Sequence, residues 1–233
     1  MNGQNFQLLK RLSAAIATIS LCACAYPRVS GPYTFNNVQP VHTTRSTDES
    51  AIESTLEELE RIPDNIQRIG NNYGRIVLFA GRLTDQPEFE QHTGQRHETA
   101  GSWNSIDGCY NRQSRQAFIS IYPPPRHSES VELHEYGHMI DQALGFESNK
   151  TSFKRIFEQY RDETIFGIQY MQLHQASRTE EFFATCFARY YHSDFSRERL
   201  QRNYPEAAEY FERLDERLNS CGRFYVVNGQ DDK

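Results

Sequence analysis

The sequence predicts an α+β fold in which a small mixed sheet packs on a mostly helical body. Short β-branched and aromatic runs, which are typical of strands, occur in the first half of the body, and helical periodicity dominates the second half. Strands followed by helices favour this fold class. The chain has 233 residues, 37% of them hydrophobic, which is enough for one sizeable core but hardly for two.

Composition and charge exclude several classes of protein. The mean hydropathy of −0.75 excludes a protein with several membrane spans. The formal net charge of −6, from 25 basic and 31 acidic residues, provides no global positive field, so we expect no nucleic-acid partner. Five cysteines are too few for a disulfide scaffold. We therefore expect one monomeric globular domain behind an N-terminal leader.

The leader, residues 1–23, has the pattern of a signal peptide. Lys10 and Arg11 form a basic flank, and the uncharged run LSAAIATISL follows at residues 12–21. A run of about ten apolar residues is too short to span a bilayer and is typical of a secretory signal. The sequence therefore predicts an exported protein.

Residues 21–24 (LCAC) resemble the processing box of bacterial lipoproteins, in which the cysteine after the cleavage site is lipidated. Cys24 fits this box better than Cys22, because Cys22 would place a bulky leucine at the cleavage position. Ordinary cleavage after Ala25 is the alternative. We expect a membrane anchor at the bacterial cell envelope through a lipid at Cys24, or secretion, with residues 24–46 as a tether.

The first body element is a helix that begins near Thr47. Ile52, Leu56 and Leu59 recur at helical spacing, acidic residues cover the opposite face, and Pro63 ends the element.

Two strands and four further helices follow. The runs RIVLF (75–79) and AFISIY (117–122) predict strands, and the second is a candidate edge with which a substrate could pair. Residues 81–115 between them show little periodicity and predict a long loop that covers a site. The periodicity after the second strand predicts helices at about 128–144, 151–161, 178–192 and 205–218.

Residues 134–138 (HEYGH) carry the chemistry. Two histidines four residues apart on a helix lie on one face, so the imidazoles of His134 and His138 can both bind one zinc ion. Glu135 lies one step round the helix and is expected to act as the general base for a water that the metal activates. The pattern predicts hydrolytic zinc chemistry.

Local context supports a helix at this motif. Ser128 or Ser130 is expected to cap it. Gly137 costs about 1 kcal/mol relative to alanine inside a helix, and it either allows another backbone to approach closely or is merely tolerated. Asp141, one turn after His138, is expected to accept a hydrogen bond behind the metal ligands.

A catalytic zinc also needs a third protein ligand and an open position. The acidic candidates are Glu180 and Glu181, at the start of a predicted helix. Ser177 and Glu180 have the spacing of a capping box, which leaves Glu181 as the metal ligand. The alternative is that Glu181 is an exposed carboxylate in the first turn of the helix.

Taken together, these motifs resemble a known family. The segments HEYGHMID, EEFFATCFARYYHSD and RERLQRNYPEAAEYFERLDERL are similar to the catalytic domain of anthrax lethal factor and its Pro-Pro endopeptidase relatives. The similarity extends back through GRIVLFAG and QAFISIY. The resemblance implies a zincin-like (gluzincin) metalloprotease domain over residues 47–225, with 226–233 as a tail. It implies His134, His138 and Glu181 as Zn²⁺ ligands, Glu135 as the general base, and an extended peptide as the substrate.

The chain departs from the family pattern at two positions. The family tyrosine that stabilises the oxyanion, seven residues before the ligand glutamate, corresponds here to His174, and a difference in loop length could supply Tyr170 instead. Thr185 replaces the second glutamate of the family's EFFAE.

The leading hypothesis is an exported zinc endopeptidase that hydrolyses peptide bonds. A second hypothesis is a catalytically weak, zincin-fold lipoprotein that serves in binding or adhesion, which the two departures motivate. A structural zinc protein is disfavoured, because such sites normally have four protein ligands. Cys109 and Cys221 are a candidate disulfide if the protein is exported.

Overall fold

The structure is a computed structural model, and it describes residues 38–39, 49–90, 103, 106–121, 130–162 and 178–227. The predicted signal peptide, the lipidation residue Cys24 and both oxyanion candidates, His174 and Tyr170, lie outside these residues. The predicted pairing of Cys109 with Cys221 also stays a prediction, because the side chain of Cys221 is not described. Within the described part of the chain, no helix combines the length and apolar character needed to cross a bilayer.

The described part of the chain contains four strands and seven helices. The strands are β1 (Val38–Gln39), β2 (Arg75–Phe79), β3 (Gly108–Asn111) and β4 (Gln116–Ser120). The helices are α1 (Glu49–Leu59), α2 (Asp64–Tyr73), α3 (Val131–Ala143), α4 (Thr151–Tyr160), α5 (Arg178–His192), α6 (Asp194–Asn203) and α7 (Pro205–Val227).

The four strands form one mixed sheet in the order β1-β2-β4-β3. β2 is parallel to both β1 and β4, and β3 is antiparallel to β4. The two predicted strands are confirmed as β2 and β4. The expectation that residues 117–122 form an edge is wrong, because β4 lies between β2 and β3. Among the described strands, β3 is the edge on that side, because it pairs with β4 and with no other described strand.

The described residues of 81–115, a span predicted as a loop over a site, instead supply β3 and a layer on the sheet. Leu83 and Phe89 pack with Phe118 in a small core, and Trp103 and Cys109 lie against it. Successive side chains of a strand point to opposite faces of the sheet. Cys109 faces this core, so Gly108 and Tyr110 lie on the opposite face. The segment GCYN has no β-branched residue, which is why periodicity missed the strand.

β1 falls inside the segment 24–46 that was predicted as a tether. Val38 and Gln39 pair in parallel register with Ile76 and Val77 of β2. Two residues contribute little local strand signal, and the pairing depends on the sheet they join. The sheet therefore includes two residues upstream of Thr47.

The helical body is organised around α5, which is buried on nearly every side. Phe182, Phe183 and Phe187 are fully buried. The ring centroid of Phe153 on α4 lies 5.2 Å from that of Phe183, and Phe211 on α7 lies 5.1 Å from the same ring. The aromatic side chains of this helix thus form part of the core. Its packing holds the first turn of α5 in place against α3.

The helix α3 carries the HEYGH motif and begins with a side-chain cap. The Oγ of Ser130 accepts a hydrogen bond from the backbone N–H of Leu133 at 3.1 Å, so Ser130 is the cap. Leu133, Tyr136 and Ile140 recur at helical spacing and are fully buried. This burial fixes the rotation of the helix and therefore the direction of its two histidines.

Candidate active site

His134, His138 and Glu181 come together where α3 meets the first turn of α5. The Nε2 atoms of His134 and His138 are 3.2 Å apart. The Glu181 carboxylate places Oε2 3.2 Å from Nε2 of His134 and Oε1 3.5 Å from Nε2 of His138. The structure thus brings together all three residues that the sequence predicted as metal ligands.

The close approach of α5 to α3 depends on Gly137. A Cβ atom at this position would lie 3.1 Å from the Cα of Ala184 and 3.2 Å from the side chain of Phe187. Few Cβ atoms tolerate such distances, so glycine allows the two backbones to approach. Of the two interpretations considered for Gly137, close approach is correct. The approach brings Glu181 within reach of the histidines.

Glu135 lies beside this cluster and is buried, with 8% of its surface exposed. Burial raises the pKa of its carboxyl group, and the two histidines and a hydrogen bond from the Tyr110 backbone N–H oppose this rise. A Cβ atom at Gly108 would lie 2.7 Å from the Cγ of Glu135. The edge strand β3 therefore touches Glu135 from the side, and it needs glycine at that contact.

Tyr110 on β3 is a residue of the site that sequence reasoning missed. Its ring stacks on the imidazole of His138, with the centroids 6.5 Å apart and the planes 11° apart. Its hydroxyl donates a hydrogen bond to Oε1 of Gln142 at 2.5 Å. Tyr110 is thus held by Gln142 on α3, with its ring parallel to that of His138. No local signal could have found these contacts, because β3 itself was read as loop.

Glu180, expected to cap α5, has a long-range partner. Its carboxylate is buried and forms an ion pair with Arg112, in the turn between β3 and β4. The predicted capping box with Ser177 falls outside the described residues. Arg112 is a second residue that the sequence did not single out.

Asp141 does not act as predicted. Its Oδ1 accepts a hydrogen bond from the backbone N–H of Ser148 at 2.7 Å, and its Oδ2 accepts one from the Ser148 hydroxyl at 2.6 Å. Both carboxylate oxygens therefore hold the turn after α3, and the expectation of a hydrogen bond to a metal ligand is wrong. The αL conformation of Phe146, with φ of 64°, lets the chain turn back toward Asp141.

Thr185 lies one turn after Glu181 on α5 and is fully buried. Its hydroxyl oxygen has no hydrogen-bond partner among the described residues. The family's EFFAE motif has a glutamate at this position. Here the position has a threonine hydroxyl that forms no hydrogen bond with the described residues of the site.

The three converging groups fit a zinc ion. Ligands 2.0–2.1 Å from a tetrahedral zinc lie about 3.3 Å from one another, which agrees with the distances of 3.2, 3.2 and 3.5 Å. Burial would raise the pKa of Glu181, but His138 and His134 hold it well below its usual value, so the carboxylate is ionised. Two imidazoles and one carboxylate are a donor set that zinc accepts.

Comparison with known proteins agrees with this architecture. The family model described as anthrax toxin lethal factor, N- and C-terminal domain, matches residues 36–214. Among curated proteins, none matches significantly. The solved structure of the Pro-Pro endopeptidase from Paenibacillus alvei is 24% identical, with a TM-score of 0.64 over 76% of this chain and 97% of that chain. The predicted zincin-like α+β fold is therefore confirmed, and the chain belongs to the anthrax lethal factor family.

Proposed function

We propose that this protein is a zinc-dependent endopeptidase. The observation that carries the proposal is the convergence of His134, His138 and Glu181, with Glu135 beside them. These three residues would hold the ion and leave a position open. When bound, zinc would polarise the substrate carbonyl and promote ionisation of a water.

Glu135 supplies the proton transfers. Its raised pKa makes its carboxylate a better proton acceptor than an exposed glutamate. It takes a proton from the attacking water and delivers it to the amine that leaves when the peptide bond breaks. The N–H of Tyr110 and the close contact with Gly108 keep the carboxylate on the side of the cluster.

The substrate is a peptide that adds to the sheet as a strand beside β3. The N–H of Ser120 donates to the carbonyl of Asp107 at 2.8 Å, and hydrogen bonding alternates along an antiparallel pair. The backbone groups of Gly108 and Tyr110 therefore point away from β4, toward the open edge. The Tyr110 N–H is occupied by Glu135, so an extended chain can pair with the backbone groups of Gly108 and the carbonyl of Tyr110, which places its scissile bond next to Glu135.

Cleavage of a peptide library tests the proposal. We expect the purified, zinc-loaded protein to cleave peptides, a chelator to abolish cleavage, and added zinc to restore it. Elemental analysis should find one zinc per wild-type chain and none in His134→Ala. Cleavage that persists in the presence of the chelator would contradict a metal-dependent mechanism.

A second candidate is a binding module with the same fold, favoured by Thr185. Its unsatisfied hydroxyl stands where a carboxylate would tune the site. The same library separates the two functions. Stoichiometric zinc without turnover of any peptide would favour the binding module.

We also propose that the protein is exported and anchored by a lipid at Cys24, which the LSAAIATISL run and the LCAC box support. We expect Cys24→Ser to lose incorporation of labelled fatty acid and to leave the membrane fraction, while Cys22→Ser keeps both. A mature N-terminus after Ala25 would show ordinary secretion instead.

A further inference from the structure

The ion pair between Arg112 and Glu180 lies next to the site but takes no part in the chemistry proposed above. Glu180 occupies the first turn of α5, one residue before Glu181, and 7% of its side chain is exposed. A buried carboxylate needs a compensating charge, and Arg112 supplies it from the β3–β4 turn. The pair therefore joins the edge of the sheet to the helix that carries the third candidate ligand.

Arg112 is held by a pre-organised turn. The Oδ1 of Asn111 accepts hydrogen bonds from the backbone N–H groups of Gln113 at 3.0 Å and Ser114 at 3.2 Å. The turn closes at Arg115, which has a φ of 56° and whose carbonyl accepts a hydrogen bond from the N–H of Arg75. A turn fixed in this way presents Arg112 in a defined direction.

Arg112 also contacts the segment that follows α3. Its guanidinium carbon lies 5.6 Å from the ring centroid of Phe146. Arg112 therefore contacts the start of α5 through Glu180 and the segment that follows α3 through Phe146.

We propose that Arg112 and Glu180 are positioning residues that hold the Glu181 carboxylate at the distance from His134 and His138 that zinc requires. This inference rests on the proposed metal site. Arg112 draws the first turn of α5 toward the β3–β4 turn, and Glu181 shares that turn. Loss of the pair leaves the three ligands in the chain but lets the first turn of α5 move relative to α3.

Zinc affinity, measured by competition with a chromogenic chelator, tests the inference without requiring turnover. We expect Glu180→Gln and Arg112→Gln each to weaken zinc binding by about 10-fold to 100-fold, as is typical when a group that orients a ligand is lost. The double variant should bind zinc no more weakly than either single variant, because each removes the same interaction. Arg112→Lys should recover part of the affinity.

Arg115→Gln is the matched control. It lies in the same turn, but its guanidinium lies over the ring of Tyr73 on α2, away from α5. We expect its zinc affinity to equal that of the wild type. Full affinity in Arg112→Gln, or additive losses in the double variant, would overturn the positioning role.

The free energy of unfolding of the zinc-free variants separates positioning from general destabilisation. If Arg115→Gln had the same stability as Glu180→Gln and lost as much zinc affinity, the positioning role would also be wrong. Failure of the metal site itself has a different signature, since the wild type would then bind zinc no better than His134→Ala.

Discussion

At the scale of single residues, the site depends on a carboxyl group that is buried away from solvent. Glu135 is buried against β3, and burial raises its pKa, while Glu181 is held ionised by two histidines. Two carboxylates within one site thus have pKa values shifted in opposite directions. The difference supports the roles proposed above, in which the group with the raised pKa exchanges protons and the group with the lowered pKa binds a cation.

We expect Glu135→Gln to lower the rate of peptide cleavage by about 10²-fold to 10⁴-fold, the usual contribution of a general base. The variant should still bind one zinc ion, because Glu135 is not one of the three converging ligands. Cleavage assays and elemental analysis check both expectations. Glu132→Gln, on the same helix and bonded to Ser130, is the control and should keep its activity. Undiminished proteolysis in Glu135→Gln would refute the mechanism.

Thr185 offers a stability prediction. Because its buried hydroxyl has no hydrogen-bond partner among the residues that the structure describes, we expect Thr185→Val to raise the free energy of unfolding by about 1 kcal/mol. Chemical denaturation of the zinc-free protein measures this change.

Thr55 is the matched control for that substitution. It is also buried, but its hydroxyl donates a hydrogen bond to the carbonyl of Ala51 at 3.0 Å, so Thr55→Val should lower stability. Equal destabilisation by both substitutions would show that Thr185 has a partner in solution.

At the scale of elements, the site is a contact between two helices and one strand. α3 supplies both histidines, α5 supplies Glu181, and β3 touches α3 through Gly108 and Tyr110. The four-residue spacing of the histidines places both on one face of α3, but only tertiary packing determines the distance between them and α5. Gly137 sets that distance.

We expect Gly137→Ala to weaken zinc binding at least as much as loss of the Arg112–Glu180 pair. The added Cβ would lie 3.1 Å from Ala184, so α5 must move away from α3. Overpacking costs about 1–3 kcal/mol, which offsets the gain of about 1 kcal/mol from replacing glycine inside a helix. Chelator competition and denaturation measure the two effects. A variant that becomes more stable, with unchanged zinc affinity, would contradict the close approach.

At the scale of the whole molecule, the proposed metal site links metal binding to folding. The three ligands come from α3 and α5, so the site exists only when the two helices are packed. A metal that binds only the folded state stabilises it in proportion to the logarithm of its concentration.

We expect zinc at 100 times its dissociation constant to raise the free energy of unfolding by about 2.7 kcal/mol. A chelator should reverse this increase, and the same concentration of magnesium should have little effect, because magnesium prefers oxygen ligands. Thermal and chemical denaturation of the three samples check the result. Equal stability with and without zinc would show that the site does not bind the ion in the folded protein.

Much of the fold was predictable because its signals are local. Residues 75–79 and the helix of the HEYGH motif follow from periodicity and from the Ser130 cap. The strand β3 was not predictable from its local sequence, since Gly108–Asn111 becomes a strand only because β4 is available to pair with it. The interior position of β4 was missed for the same reason.

The sequence by itself determined the three candidate ligands, the candidate general base and the fold class, because helix periodicity and a resemblance across several motifs can both be recognised from the sequence alone. Only the tertiary structure decided that Glu180 pairs with Arg112, that Asp141 binds Ser148, and that β3 is the edge beside the site. Each of these depends on which surfaces pack together. Residues far apart in the chain meet through packing and strand pairing, and no local pattern records those contacts.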